Sequence, residues 1–141
     1  MRVVAAALII CSIAPSYAAE SISKLLKSQG YSCVIKTTYV IGDDGSLADS
    51  EYKAGRRFTI DRGTGRTIGA IKNYNTTVYG DFQPTVVDRG NHEQYFKALT
   101  MYGSRNPSIA VLVVKEFAKS ELKPFMFTHS GSVQTGICEN I

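Results

Sequence analysis

The chain has no tryptophan and only three cysteines, two histidines and four prolines in 141 residues. It contains no Cys-x-x-Cys pair and no cysteine–histidine cluster, which excludes a thioredoxin-like redox motif and a zinc-finger spacing. Its longest apolar run, Val3 to Ile13, falls well short of the ~20 residues that cross a bilayer. No internal repeat, low-complexity segment or linker-like stretch is present, so collagen, coiled coil and a multi-domain array are excluded. With 44% hydrophobic and 20% charged residues, the composition is that of one folded domain rather than a disordered chain.

What is present begins with an address. Met1-Arg2 gives a positive start, the apolar run follows, Pro15 breaks it, and Ser16-Tyr17-Ala18 places small residues where a signal peptidase reads. This predicts a signal peptide over residues 1–18, cleaved after Ala18, and a periplasmic or secreted protein spanning residues 19–141 as a single β-rich domain. No transmembrane segment is expected in the mature protein. Cys11 leaves with the signal. Cys33 and Cys138 remain in an oxidising compartment, and one disulfide between them is the expectation.

The mature chain opens with a predicted helix over Glu20–Gln29, where Ile22, Leu25 and Leu26 share a stripe and Gly30 ends it. Beyond Gly30 the apolar period becomes two. Ser32–Ile41 reads as a strand with Cys33, Ile35, Thr37, Tyr39 and Ile41 on one face. Residues 46–55 read as irregular or as a weak edge strand. Phe58 to Ile71, turning at Arg62-Gly63-Thr64-Gly65, is the clearest β-hairpin. Short strands are predicted at Thr77–Phe82 and Thr85–Asp88, and a longer one at His92–Tyr102. Ile109–Phe117 is the most apolar stretch and reads as a central strand buried on both faces. Pro124–Thr128 and Ser132–Cys138 form a last hairpin through His129-Ser130-Gly131. Seven to nine short strands imply an all-β, mainly antiparallel sandwich or small barrel. Tyr39, Phe58, Phe82, Tyr95, Phe96, Phe117, Phe125 and Phe127 suffice to fill its core.

The segments Phe58-Thr-Ile-Asp-Arg-Gly-Thr-Gly-Arg66, Val87-Asp-Arg-Gly90, Lys123-Pro-Phe-Met-Phe127 and Val133-Gln-Thr-Gly-Ile-Cys138 resemble a pattern in small exported proteobacterial proteins. The resemblance covers most of the mature chain and implies a small exported β-domain. Its motifs are turn and strand residues, so it carries over no active site.

Few residues offer chemistry. His92 and His129 alone titrate near neutral pH without perturbation. A hairpin that gathers Asp88, His92 and Glu93, or His129 beside Ser130, supplies the parts of an acid–base site but no nucleophile elbow or oxyanion cradle. Both histidines fall at predicted turns, where solvation is the simpler expectation. Asp43, Asp44, Asp49 and Glu51 do not follow the spacing of a calcium loop, so no metal site and no cofactor are expected. Residues 53–72 hold Lys53, Arg56, Arg57, Arg62, Arg66 and Lys72 against one acid, Asp61. Arg56, Arg57, Arg62 and Arg66 are therefore the candidate binding residues for an acidic envelope polymer or protein. Export and the lack of a known binding module argue against nucleic acid. The expected function is a non-enzymatic binding domain for a protein, an envelope polymer or a small ligand. The alternatives are a small hydrolase or isomerase using His92 or His129, and a structural envelope protein.

Overall fold

A computed structural model describes residues 29–77, 80–103 and 107–141. The predicted signal peptide over 1–18 and the predicted helix over 20–29 lie outside the described residues, except for Gln29, which sits at a bend. The chain runs through β1 (Gly30–Ile41), β2 (Leu47–Ser50), β3 (Arg57–Asp61), β4 (Thr67–Gly69), β5 (Asn75–Thr77), β6 (Gly80–Phe82), β7 (Pro84–Asn91), β8 (Gln94–Tyr102), β9 (Ser108–Val114), β10 (Lys123–His129) and β11 (Ser132–Asn140). Nine of these form one antiparallel sheet in the order β4-β3-β1-β11-β10-β9-β8-β7, with β2 paired to β1, while β5 and β6 pair separately. Among the described residues no helix is long and apolar enough to cross a membrane.

The sheet curls into a half-barrel, and its core lies on the concave side. Tyr31 on β1 meets Phe96 on β8 at a ring separation of 5.5 Å, although three strands lie between them in the sheet. Phe58 on β3 meets Phe125 on β10 edge-on at 5.0 Å. Only a strongly curved sheet brings such rings together. Its two edges are tied by side chains rather than by a strand ladder. Arg66 Nε donates to Gln83 Oε1 (2.9 Å), and Arg62 donates to the carbonyls of Arg89 and Gly90 (both 3.0 Å). Neither a sandwich nor a closed barrel describes it, because the hydrogen-bonded path ends at β4 and β7.

Alternation along each strand follows the core, with three differences from the expected pattern. In β1 an extra residue, Lys36, interrupts the register between Ile35 and Thr37. A β-bulge shifts every later side chain by one face. Cys33 and Ile35 are therefore buried, and beyond the bulge it is Thr38, not Thr37, Tyr39 or Ile41, that points into the core. β9 lies inside the sheet but is buried on one face only: Ala110, Leu112 and Val114 face the core, and Ile109 is exposed. Among the described residues nothing covers the convex side of this layer, so an apolar run there need not mean double burial. Tyr95 stands outside the core against Phe117, while Tyr31 lies fully inside it.

The expected disulfide is present. Cys33 and Cys138 are directly opposed on the neighbouring first and last strands, with Cα atoms 3.9 Å apart and both residues fully buried.

A buried asparagine replaces missing ladder bonds next to β4. Asn73 Oδ1 accepts from the Thr67 amide and its Nδ2 donates to the Gly65 carbonyl, both at 2.8 Å, with the residue 1% exposed. Asn73→Ala leaves both backbone groups unpaired in the interior, and each such loss costs about 1–3 kcal/mol. A urea unfolding curve is expected to show a loss of about 2–4 kcal/mol with unchanged slope. An unchanged midpoint would contradict the clamp.

The β3–β4 turn carries a pH-dependent element. The Asp61 carboxylate accepts from the Thr64 amide (2.7 Å) and the Thr64 hydroxyl (2.8 Å). The amide first and the hydroxyl second hold its pKa below the ordinary 3.8. Its contribution to stability is thus complete above the unfolded-state value and disappears as pH falls through the lowered folded value. Asp61→Asn is expected to flatten this part of the stability curve between about pH 5 and pH 2, read from denaturant midpoints across that range.

Candidate functional site

One end of the half-barrel holds a pocket of about 220 Å³. Its floor is built by strand parity. Inward positions on β10 run Phe125, Phe127, His129, and those on β8 run Phe96, Ala98, Thr100, Tyr102. On β11 they include Gln134 and Cys138. Phe127 and Gln134 face each other across the ladder, and Thr38 opposes Gln134 from β1. Gln134 is 4% exposed, and its Oε1 makes no hydrogen bond. A buried acceptor without a partner costs roughly 1–3 kcal/mol, so natural proteins rarely leave one. The Gln134 residue borders the cavity, while Oε1 itself has almost no accessible surface.

The wall beside the floor is aromatic. Tyr102 stacks on His129 with centroids 4.6 Å apart, and Phe127 lies 6.5 Å from the same imidazole. Ser130 Oγ and Ser108 Oγ lie 3.1 and 3.3 Å from His129 Nε2. Burial raises the pKa of the Tyr102 hydroxyl above its ordinary value.

Two loops bring lysines to the mouth, each pinned by a buried polar side chain. Thr38 Oγ1, fully buried, donates to the Tyr52 carbonyl at 2.6 Å and fixes the turn that carries Lys53. Lys53 itself has a left-handed φ of 64°, a conformation that costs a non-glycine residue about 1–2 kcal/mol. On the other side, the Asn73 clamp fixes the segment bearing Ile71 and Lys72. Neither lysine makes an ion pair among the described residues, and the pocket lining contains no carboxylate.

The predicted site residues scatter. His92 and Glu93 form the tip of the β7–β8 hairpin, paired to each other at 3.7 Å and strongly exposed. Asp88 is held by Lys97 (3.6 Å) and by the Gly90 amide (2.9 Å). These three line neither of the two described hollows. His129, expected at a solvated turn, is half-buried in the pocket because it continues the inward face of β10.

The arginine cluster also divides. Arg62 turns to the opposite end, where it lies 3.6 Å from Glu116 and over the Tyr31 ring. The Tyr31 hydroxyl donates to the same carboxylate, and burial followed by Glu116 keeps that hydroxyl protonated. Arg66 is engaged by Gln83, while Arg56 and Arg57 are exposed. Arg66 and Arg89 border a wider hollow of about 400 Å³ along the seam, but no side chain lining it is buried.

Four residues of the pocket, Lys53, Lys72, Tyr102 and Gln134, carry no motif. The available signal was parity: Gln134 and Tyr102 share the inward faces of Cys138 and Phe96. His129 with two serine hydroxyls on one ring nitrogen has no hydrogen bond to Nδ1 among the described residues, so nothing there orients the imidazole as in a triad. Among the described residues no three His, Cys, Asp or Glu side chains are grouped to hold a metal ion. No protein-family model, curated protein or solved structure matches the chain.

Proposed function

We propose that the protein is an exported, non-enzymatic binding domain whose site is the pocket between Gln134, His129, Lys53 and Lys72. Export rests on the signal-like residues 1–18, on the resemblance to small exported proteobacterial proteins and on the disulfide, which belongs to an oxidising compartment. The periplasm or the extracellular space is its place of action. A small ligand, rather than a protein or an envelope polymer, is the partner class favoured.

The observation that carries this reading is the cavity of about 220 Å³ at one end of the half-barrel, walled by Ile71, Tyr102, Phe127 and His129 and bordered by Lys53 and Lys72 with no carboxylate in its lining. At about 220 Å³ the cavity is smaller than the roughly 300–1,000 Å³ of drug-sized sites, so its occupant is small.

The test is a ligand-observed NMR screen of small aromatic and aliphatic acids, amides and alcohols against the exported protein. The comparison is Ser132→Phe, which fills the mouth of the pocket. Hits are expected with the parent protein and not with the filled variant, at matched urea midpoints. Hits that persist in Ser132→Phe, or a parent protein that binds none of these compounds, would refute the assignment.

A further inference from the structure

We infer that residues 20–28 fold back on the convex face of the sheet and cover the apolar patch formed by Val34, Pro124, Ile137 and Ile141, with Leu122 at its rim. The partner of this surface is a segment of the same chain. The inference is independent of the pocket at the other end of the half-barrel.

The patch follows from strand parity. Cys33, Phe125 and Cys138 are buried in the core, so Val34, Pro124 and Ile137 point out of the convex face. The three lie side by side, because Ile137 is the register partner of Val34 on β1 and of Pro124 on β10. Ile141 continues the outward row of Ile137 beyond β11 and is 56% exposed. Leu122, next to the start of β10, is 39% exposed. A contiguous apolar surface of this kind marks a contact face.

The chain itself leads to the patch. Gln29, the first described residue, donates its amide to the Ile141 carbonyl, and the Ile141 amide donates to the Gly30 carbonyl, both at 3.1 Å. A Cβ on Gly30 would lie 3.7 Å from Ile141 Cγ1, so the Ile141 side chain stands on the outward side of β1. The residues before Gln29 therefore start beside it.

Length and pattern agree with this placement. A helix over 20–28 reaches ~13 Å, and Ile137 lies about that far from Ile141 along β11. Ile22, Leu25 and Leu26 share one stripe, while Glu20, Lys24 and Lys27 all fall on the opposite side of the helix. So short a helix is marginal alone in water and gains stability by docking its apolar stripe. The exposed pair Met101 and Ile109 belongs to the other end of β8 and β9, roughly 30 Å from Gln29 along the strands, and is out of the helix's reach.

The experiment is limited trypsin digestion of the chain with residues 19–28 in place, followed by mass measurement. Lys24 and Lys27 are cleavage points inside the segment, and the cutting rate follows the population of its undocked form when docking is rapid. Cutting there is expected to be at least about tenfold slower than in a free peptide of residues 19–30, a factor within the range of burying one leucine. Ile137→Thr combined with Ile141→Ser should raise the rate several-fold at a matched urea midpoint. Ile22→Ser, which lies outside the described strands and leaves both cleavage points intact, should do the same. Met101→Ser combined with Ile109→Ser should leave it unchanged. Cutting as fast as in the free peptide, or equal rates in the two double variants, would overturn the inference. Protection that appears only as protein concentration rises, together with a dimer in sedimentation, would give the patch to a second copy and overturn it too.

Discussion

Replacing Gly136 by alanine is expected to lower the stability of the fold by about 3 kcal/mol or more, the upper range for overpacking a filled interior. Gly136 sits on β11 opposite the bulge of β1 and opposite Phe125 of β10. A methyl group there would meet the Val34 carbonyl oxygen, the Phe125 ring at 2.7 Å and the Lys36 amide at 3.0 Å. Two of these neighbours are backbone and the third is a core ring, so none can swing away. Relief requires moving β1 off β11, the ladder that joins the two ends of the domain. The urea midpoint of Gly136→Ala should fall by about 2 M for a slope near 1.5 kcal/mol/M. Gly63→Ala is the control, because its new methyl meets only an Asp61 carboxylate oxygen at 3.3 Å. It should stay within about 1 kcal/mol of the parent. Equal midpoints for the two variants would mean that the bulge and its glycine do not determine the packing of β1 on β11.

Removing the Cys33–Cys138 disulfide should cost still more. The two cysteines are 105 positions apart in sequence, and closing a loop of ~100 residues is worth about 4–5 kcal/mol in the chain-entropy picture. Total stabilities of such domains are only ~5–15 kcal/mol. Both cysteines are fully buried, so reduction needs at least local opening of β1 from β11. The oxidised protein should resist reductant under native conditions and yield to it near the unfolding midpoint. Once reduced, its unfolding free energy should be lower by about 4 kcal/mol, with a correspondingly lower denaturant midpoint. Mass measurement should give a two-hydrogen difference between the two forms. Both of these thiols free in the unreduced protein, or identical midpoints before and after reduction, would contradict the staple.

The sheet, its antiparallel character and the disulfide were legible because each rests on a local or pairwise signal. Alternation in Arg57–Asp61 and the turn at Arg62–Gly65 need only a few residues to be read. With residues 1–18 set aside as a predicted signal, the two remaining cysteines have one partner each. The register of β1 was not legible, since a bulge at Lys36 leaves no mark in composition and flips Thr37, Tyr39 and Ile41 off the core face. Curvature was not legible either, and Ile109 and Met101 lie exposed on the convex face with no second layer among the described residues.

The site was only half visible. His129 was named from its chemistry, and its burial follows from counting inward positions on β10. The basic run over residues 53–72 was real as charge. Its arginines and lysines separate in space: Arg62 is drawn to Glu116 at one end, and Lys53 and Lys72 reach the other. Gln134 was missed because a glutamine between strand residues looks like any outward polar side chain, and only the ladder to Thr38 and Phe127 turns it inward.

The claim that this half-barrel binds a small ligand at its Gln134 end is tested most directly by chemical-shift mapping on the isotope-labelled protein titrated with a small aromatic acid. Saturable shifts are predicted at the Gln134 side-chain amide, the His129 and Tyr102 rings, and the amides of Lys53 and Lys72. The Arg66–Arg89 hollow and the His92–Glu93 hairpin tip should stay unmoved. Shifts confined to the Arg66–Arg89 hollow, or no saturable shift at any of these positions, would contradict it.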